Sequence, residues 1–406
     1  MKTDIDTLMQ ARNLDGLLVI GNAEHNPPMT YLTGGGHVSN AVLIKKRGHV
    51  AVLFCSQMER EEAAKSGLKV VPLTLTPTRE LLTDTAAKLL FPKAGLTEGR
   101  VGVYGHADVS TALLAFSSLQ KFMPGLTLVG EGPDDNIFLR AMETKDQAEV
   151  ARIRRMGKIT TEVVALAADY LTSRAARADE VLLKDGDTPL TVGDVKSKIS
   201  LWLAERGAET PEGFIFAIGR DAGVPHSTGN PDDLLRLGRT IVFDIYPAEV
   251  GGGYFYDFTR TWSLGYAAPE AQKLYDEVKA VYDKVCGDLE MNAPFKQYQQ
   301  LVCEEFEKAG RQTPLHSSSP VEGYVHSVGH GVGLNIHERP WSGLTADESN
   351  RLQPGVVMTI EPGLYYPNQG MGVRIEDTYY VRPDGKMELL AEYPYDFVLK
   401  MKNSGS

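Results

Sequence analysis

Four carboxylates and one imidazole, spread between residues 240 and 381, are the side chains of this sequence best suited to chemistry. In chain order they are Asp244, Asp257, His330, Glu361 and Glu376. Carboxylates gathered in a protein interior repel one another and lose hydration, so such a group needs a strongly positive centre. If the five side chains converge, two divalent cations are the expected occupants.

The first two carboxylates lie in a predicted β-hairpin. Strand-like runs at 240–247 and 254–262 flank three consecutive glycines at 251–253. Asp244 and Asp257 are nearly equidistant from the middle of this hairpin. We therefore expect them to face each other across an antiparallel ladder, with Cβ atoms about 5 Å apart. Like charges in these positions destabilise the hairpin unless a cation lies between them.

A second predicted hairpin repeats the arrangement. Strand-like runs at 356–366 and 372–381 place Glu361 and Glu376 symmetrically about the turn. Arg374 precedes Glu376 by two residues, so it shares that strand face and can support the carboxylates. Two acidic hairpins with the same internal symmetry predict two related halves that close on one site.

A glycine-rich histidine segment lies between the hairpins. The spacing of His326 and His330 would suit a zinc pair on a helix, but glycines alternating through 329–333 disfavour a helix, and no HExxH motif occurs. In an extended chain these two histidines share one face, and His337 lies on the other unless a bulge intervenes. We expect one imidazole to bind metal and the others to contact substrate. His226, in a turn before the first hairpin, is a further candidate.

The ligand types indicate the chemistry. Carboxylate and imidazole ligands suit Mn²⁺, which we expect, with Co²⁺ and Zn²⁺ as alternatives. Two such ions about 3.5–4 Å apart can bridge a hydroxide and polarise a carbonyl. This arrangement predicts hydrolysis, with a peptide bond as the target.

The first third of the chain predicts an α/β layer domain. Apolar runs predict strands at 17–20, 41–44 and 50–55. Helices are predicted between and after them, at 57–66, 79–90 and 109–122.

The strand pattern stops near residues 134–140, and a long helical pattern begins at Lys145. Further helices are predicted at 192–206, 269–289 and 295–310. We therefore expect one domain at residues 1–138 and a second at 139–402.

Composition excludes several classes of protein. The 406 residues carry a net charge of −11, which argues against a nucleic-acid partner. The three cysteines form no CxxC pair, and we expect a reducing compartment. The first residues lack an apolar signal core, and no apolar run of about 18 residues predicts a membrane span, so we expect a cytoplasmic protein. Neither GxGxxG nor GxxxxGK[ST] follows a strand, which argues against a nucleotide site.

The segments FDIYP, YDFTRTW, HSVGHGVGLNIHE, TIEPGLY and VRIEDT resemble the pita-bread-fold metallopeptidases, in particular the branch of prolidases and aminopeptidase P. The resemblance spans about residues 140–395, and the first third is similar to the creatinase-type N-terminal domain of that branch. It implies a creatinase-like α/β domain followed by an α+β pita-bread catalytic domain with an antiparallel sheet and pseudo-two-fold symmetry. It also implies a homodimer.

The resemblance further implies a division of the metal ligands. Asp257 and Glu376 would bridge two metal ions. Asp244 would hold one ion, and His330 with Glu361 the other. Glu361 would also exchange a proton with the bridging hydroxide.

The remaining candidate residues would act on the substrate. By the same resemblance, His226 and His337 would contact the scissile carbonyl or stabilise the tetrahedral intermediate. His326 would line the site, and Arg374 would support the ligands from behind.

The implied reaction is hydrolysis of Xaa-Pro bonds in proline-containing di- or oligopeptides. An Xaa-Pro bond lacks the N–H and adopts the cis form more readily than other peptide bonds, so a dedicated enzyme is reasonable. We expect a dipeptidase, with an aminopeptidase P acting on longer peptides as the alternative. A more distant alternative is a creatinase-like enzyme or a binding protein of the same fold, but such proteins typically lose metal ligands.

Overall fold

The computed structural model describes residues 4–317 and 320–402. The chain divides into two compact units. The first comprises the chain up to Met142 together with Val250–Gly253, and the second comprises Glu143–Glu249 and the chain from Tyr254 onward. Within the described ranges, the helices include none that is both long and apolar enough to cross a membrane.

The first unit contains a six-stranded mixed sheet. Its strands are β1 (Gly16–Gly21), β2 (Ala41–Lys46), β3 (Val52–Ser56), β4 (Lys69–Leu73), β5 (Gly99–Gly105) and β6 (Leu126–Val129). They lie in the order β4-β3-β2-β1-β5-β6. The pairs β1/β2 and β2/β3 are antiparallel and the other three are parallel. The helices are α1 (Ile5–Ala11), α2 (Pro27–Thr33), α3 (Arg60–Ala64), α4 (Pro77–Glu80), α5 (Phe91–Ala94), α6 (Val109–Phe122) and α7 (Ile137–Met142).

This unit confirms the predicted α/β character but corrects one helix. The helix predicted over 79–90 is wrong, because α4 ends at Glu80 and a separate π-helical turn covers Ala86–Leu90. Between them, the Thr83 hydroxyl donates to the Glu80 carbonyl at 3.0 Å and accepts from the Thr85 N–H. Such local side-chain bonds offer the backbone an alternative to the helix. Strands β4, β5 and β6 were not predicted.

The second unit carries the four long helices, near the predicted positions. They are α8 (Gln147–Thr172), α9 (Val192–Glu205), α10 (Pro269–Asp288) and α11 (Lys296–Lys308). Asp146 and Glu149 form a reciprocal capping box at the start of α8, and Thr191 with Asp194 does the same for α9. These bonds satisfy amide groups that a helix start leaves without partners.

Thirteen short strands build the sheets of the second unit within the described residues. They are β7 (Ala208–Glu209), β8 (Ile215–Ile218), β9 (Thr240–Ile245), β10 (Ala248–Glu249), β11 (Phe258–Leu264), β12 (His330–Gly331), β13 (Glu338–Trp341), β14 (Val357–Ile360), β15 (Gly363–Tyr366), β16 (Met371–Arg374), β17 (Asp377–Val381), β18 (Met387–Leu389) and β19 (Val398–Leu399).

The strands form two larger sheets and two strand pairs. One sheet has the order β19-β11-β9-β8 and the other β13-β12-β14-β17-β18, while β15/β16 and β7/β10 pair separately. The pairing is antiparallel as expected, with the exception of β11 and β19, which run parallel. Buried side chains of α10 and α11, including Val278 and Phe306, belong to the same apolar core as Met358 and Ile360 of the second sheet.

Candidate metal centre

The first acidic hairpin pairs in a register that differs from the expectation. Asp244 in β9 faces Thr259 in β11, so the prediction that Asp244 and Asp257 lie directly opposite each other is wrong. Asp257 precedes β11 because the chain before it pairs elsewhere, with the Phe255 N–H donating to the Gly333 carbonyl at 2.8 Å. Asp257 and Thr259 are two residues apart, so the Asp257 carboxylate lies on the same face of the sheet as Asp244. It is displaced from the position opposite Asp244 by two residues along the chain.

The second acidic hairpin keeps the expected register but opens at its carboxylates. Strand β14 pairs with β17 and β15 with β16 in one continuous register, in which Glu361 and Glu376 occupy facing positions. Their backbones bond to other segments instead of to each other. The Glu361 N–H donates to the Val328 carbonyl at 2.8 Å, and Glu376 forms an antiparallel bridge with Thr259. The opening therefore joins this hairpin to both the histidine segment and the first hairpin.

The histidine segment is extended and pressed against its neighbours. A Cβ added to Gly329 would lie 2.0 Å from the Thr359 carbonyl oxygen, and one added to Gly331 would lie 1.9 Å from that of Arg339. Only glycine permits such close approach. The register shifts between His330 and Gly331, and the chain then turns back, so His337 comes to lie beside His330 with ring centroids 4.3 Å apart. The sequence alone did not decide whether this segment contains a β-bulge, and the structure shows that it does.

Asp257, His330 and Glu376 form the centre of the buried cluster. One ligand atom from each lies within 4.8 Å of the others. Nε2 of His330 is 3.6 Å from a carboxylate oxygen of Asp257 and 3.4 Å from one of Glu361. The His330 Nδ1 lies 3.0 Å from the Gly331 carbonyl and must carry the proton to bond there, so Nε2 turns a lone pair towards the carboxylates.

Burial makes these acidic groups resist ionisation. It raises the pKa of Asp257 and Glu376 well above the usual range, and the neighbouring carboxylates raise it further. Burial also raises the pKa of Glu361 to about 8 and lowers that of His330 to about 3. A cation among the carboxylates would lower the pKa values of Asp257, Glu376 and Glu361 again, because it stabilises the charged form of each.

The unpartnered oxygen of Asp244 gives a direct test of whether a metal fits. Oδ2 of this carboxylate accepts from the Arg374 guanidinium, whereas Oδ1 is buried without a hydrogen-bond partner among the described residues. A buried carboxylate oxygen with no partner is costly. An oxygen-rich donor set with one free imidazole nitrogen suits divalent cations, so the residues fit such ions.

Arg374 also organises the side of the cluster that faces His326. Its guanidinium donates to the Tyr365 hydroxyl at 2.6 Å, and that hydroxyl lies 2.8 Å from Nε2 of His326. Nδ1 of His326 bonds to the Ser327 carbonyl at 2.7 Å, so Nε2 accepts the tyrosine proton. Both nitrogens of His326 are therefore occupied. Burial lowers the pKa of this imidazole to about 3, which keeps it neutral.

The cluster opens into a cavity of about 470 Å³ in the second unit. All nine residues selected from the sequence line it: His226, Asp244, Asp257, His326, His330, His337, Glu361, Arg374 and Glu376. Further lining residues come from the turn before β8, from β8, from the segments that follow β8 and β9, from the histidine segment and from β13: Glu212, Ile215, Thr228, Tyr246, Ser327, Ile336 and Trp341.

Sequence reasoning missed the hydroxyl groups that hold the ligands. The Thr259 hydroxyl donates to Glu376 at 2.7 Å, and the Thr359 hydroxyl accepts from the His330 N–H at 3.1 Å. Tyr365 bonds to Arg374 as described above. Strand periodicity could have found Thr259 and Tyr365, because each lies an even number of residues from an acidic ligand and shares its strand face.

The chain belongs to Metallopeptidase family M24, because the sequence profile of that family matches residues 151–383. The profile of the Creatinase/Prolidase N-terminal domain matches residues 3–133. The fold is therefore the predicted combination of a creatinase-type N-terminal domain and a pita-bread catalytic domain. Membership of this family makes the chain a metallopeptidase and implies a centre for divalent metal ions.

Individual proteins are similar to this chain in sequence or in fold. An uncharacterized peptidase of Staphylococcus aureus strain MW2 is 27% identical over 357 residues, which cover 87% of this chain and 88% of that protein. The structure is similar to that of an Xaa-Pro dipeptidase from Bacillus anthracis, with a TM-score of 0.76, 20% identity and coverage of 98% and 99% of the two chains. It is also similar to an X-Pro aminopeptidase from Thermotoga maritima MSB8, with a TM-score of 0.74, 19% identity and coverage of 95% and 97%.

Proposed function

We propose that the chain hydrolyses Xaa-Pro peptide bonds with two divalent metal ions, as a prolidase-type dipeptidase. The observation that carries this proposal is the buried convergence of Asp257, His330, Glu361 and Glu376 on one wall of a cavity that also contains His337. The catalytic domain is residues 139–402, and residues 1–138 form the creatinase-like domain.

Each ligand has a proposed place in the centre. Asp257 and Glu376 would bridge the ions, Asp244 would hold one of them, and His330 with Glu361 would hold the other. When bound, the two ions supply Lewis acidity and lower the pKa of a water molecule. We propose Mn²⁺ as the native metal, with Co²⁺ and Zn²⁺ as alternatives.

The protein residues perform the proton transfers and hold the substrate. Glu361 takes the proton of the attacking water and returns it to the leaving nitrogen, a role that requires a carboxylate poised between its two protonation states. His226 and His337 donate to the oxygen of the scissile carbonyl as negative charge develops there. His326 and Arg374 keep their neighbours in position through Tyr365 and Asp244.

An aminopeptidase P is the second candidate, and one observation favours it. A dipeptide ends in a carboxylate next to the proline ring, and a site that selects it needs a cation there. Among the described residues that line the cavity, Arg374 is the sole arginine or lysine, and its guanidinium already bonds to Asp244, Tyr365 and Thr259. Among the described residues that line it, the cavity thus offers the dipeptide carboxylate no free cation.

Turnover of Ala-Pro and of Ala-Pro-Pro by the Mn²⁺-loaded protein tests this choice. A dipeptidase cleaves the first faster, whereas comparable or faster cleavage of the tripeptide overturns the dipeptidase assignment in favour of aminopeptidase P. Ala-Ala and Ala-Ala-Ala are the matched controls. Equal cleavage of these controls would contradict Xaa-Pro specificity altogether.

We also propose a cytoplasmic homodimer that has no nucleic-acid or membrane partner. Three cysteines that form no disulfide among the described residues fit a reducing compartment. Sedimentation of the purified chain tests the dimer, for which the expected mass is twice 44.5 kDa.

A further inference from the structure

Among the described residues that line the cavity, Glu212 is the one carboxylate outside the proposed metal centre. The carboxylates that line the cavity are Glu212, Asp244, Asp257, Glu361 and Glu376. The last four belong to the proposed metal centre. Glu212 is exposed and has no hydrogen bond or ion pair with any other residue that the structure describes. Its charge is therefore available to a molecule that enters the cavity.

Glu212 lies close in the chain to a strand that borders the proposed metal centre. It lies in the turn before β8, and Ile215 of that strand pairs with Asp244. Surrounding protein lowers the pKa of His337, and Glu212 is the strongest charge that opposes this shift. The fields of Asp244, Asp257 and Glu212 also act on the phenol of Tyr246. Glu212, Asp244, Tyr246 and His337 all line the same cavity.

Four side chains that line the cavity outside the proposed site residues are apolar or aromatic. They are Ile215, Tyr246, Ile336 and Trp341, beside the hydroxyl groups of Thr228 and Ser327. Tyr246 is half-buried, and its hydroxyl has no hydrogen-bond partner among the described residues. Lysine and arginine combine an aliphatic stem with a charged tip, so the stem can contact these apolar groups while the tip pairs with the Glu212 carboxylate. Aromatic rings add a favourable surface for a cation.

We propose that Glu212 binds a positively charged group of the substrate and thereby makes the enzyme prefer peptides with lysine or arginine before proline. The proposal rests on the proposed Xaa-Pro function and names a substrate class for it. The same carboxylate chemistry would also suit the α-ammonium of the substrate, and the experiment separates these two sources of charge.

The test compares Lys-Pro with norleucyl-Pro, which has the same aliphatic stem without the ammonium group. For the wild-type protein we expect kcat/KM to be about fivefold higher for the lysyl peptide, as is typical of a partly exposed ion pair. Glu212→Gln should remove this preference and leave the norleucyl peptide unchanged. Glu205→Gln, which changes an exposed glutamate of α9 outside the cavity, is the matched control and should keep the preference.

Other outcomes decide between the two cations or overturn the proposal. An equal loss for both peptides in Glu212→Gln leaves their ratio unchanged. It assigns the carboxylate to the α-ammonium, which both peptides carry, and overturns the preference for lysine or arginine. Unchanged kcat/KM for both peptides overturns any role of Glu212 in substrate binding. Lys-Ala and norleucyl-Ala are measured in parallel. If these are cleaved and the proline peptides are not, the Xaa-Pro function fails, while the lysyl preference still reports on Glu212.

Discussion

The two acidic hairpins deliver their carboxylates in different ways. In the first hairpin, Asp244 lies within the paired strand β9, whereas Asp257 lies just before the paired strand β11. The two carboxylates are therefore offset by two residues along the chain. The hairpin of Glu361 and Glu376 keeps both in register and opens between them, so that each backbone bonds to another segment. The comparison teaches that equal spacing in sequence does not imply equal geometry. The second hairpin therefore connects the histidine segment to the first hairpin.

The largest expected effect comes from removing one bridging carboxylate from either hairpin. Asp257→Ala and Glu376→Ala should each lower kcat/KM on the order of a thousandfold or more, because the remaining ligands cannot hold both ions. Steady-state kinetics with Ala-Pro measure the loss, with Glu205→Ala as control. Wild-type-like activity in either variant would refute the bridging assignment for that hairpin.

A second prediction concerns the link between the hairpins through Arg374. This residue belongs to the second hairpin but bonds to Asp244 of the first. Lysine keeps the charge but cannot donate at once to Asp244, Tyr365 and Thr259, so Arg374→Lys should reduce kcat/KM by about 10- to 100-fold. Tyr365→Phe removes one of these bonds and should cost less. If Tyr365→Phe were the more damaging of the two, the link would run through the tyrosine instead.

A third prediction addresses the turn that connects His330 to His337. Glu338, which follows the turn, is fully buried and forms an ion pair with Lys145, and it also accepts from the Asn335 N–H. Lys145→Met leaves an uncompensated buried charge and should lower the free energy of unfolding by about 3–5 kcal/mol. The double variant Lys145→Met with Glu338→Leu should recover much of that stability.

Chemical denaturation measures these stabilities, and kinetics on the double variant add a second readout. We expect kcat to stay reduced even where stability returns, because the bond to the turn is still missing and His337 is no longer held beside His330. Full recovery of kcat would mean that the ion pair contributes stability alone.

The smallest effect is a pH dependence of metal-free stability. In the metal-free fold the pKa of Glu361 is about 8, above its unfolded value of about 4.3. The folded state then binds a proton that the unfolded state has lost, so stability falls as pH rises through this interval. His330, whose pKa is lowered to about 3, acts in the opposite direction below about pH 6.5.

Between pH 6.5 and 8 the carboxylates therefore decide the sign. The chelator-treated protein should melt a few degrees lower at pH 8 than at pH 6.5, and Mn²⁺ should raise the melting temperature more at pH 8. Differential scanning calorimetry at the two pH values measures both shifts. A metal-free protein that is more stable at pH 8 would contradict the buried carboxylate cluster.

The sequence was a good guide to residue types and a weaker one to register. All nine residues chosen from it line one cavity, because ligand chemistry restricts which side chains can gather at a buried point. The facing positions of Glu361 and Glu376 followed from the turn between their strands. The register of Asp244 could not be predicted from spacing, because Phe255 bonds to Gly333, a long-range contact that shortens the second strand of that hairpin.

Other features depend on tertiary contacts that periodicity does not encode. His337 lies beside His330 through a bulge and a turn pinned by Lys145, which is remote in sequence. Strand β4 contains Pro72 and lies at the edge of its sheet, a position where the lost N–H is tolerated, so its sequence reads poorly as a strand.

The central claim is that the two hairpins and the histidine segment together hold two divalent ions. Titration of the chelator-treated protein with Mn²⁺, followed by calorimetry and by hydrolysis of Ala-Pro in the same samples, tests it most directly. The account predicts two equivalents bound per chain, activity that requires both, and at most one equivalent in Asp257→Ala. A wild-type protein that reaches full activity with one equivalent, or that binds none, would contradict it.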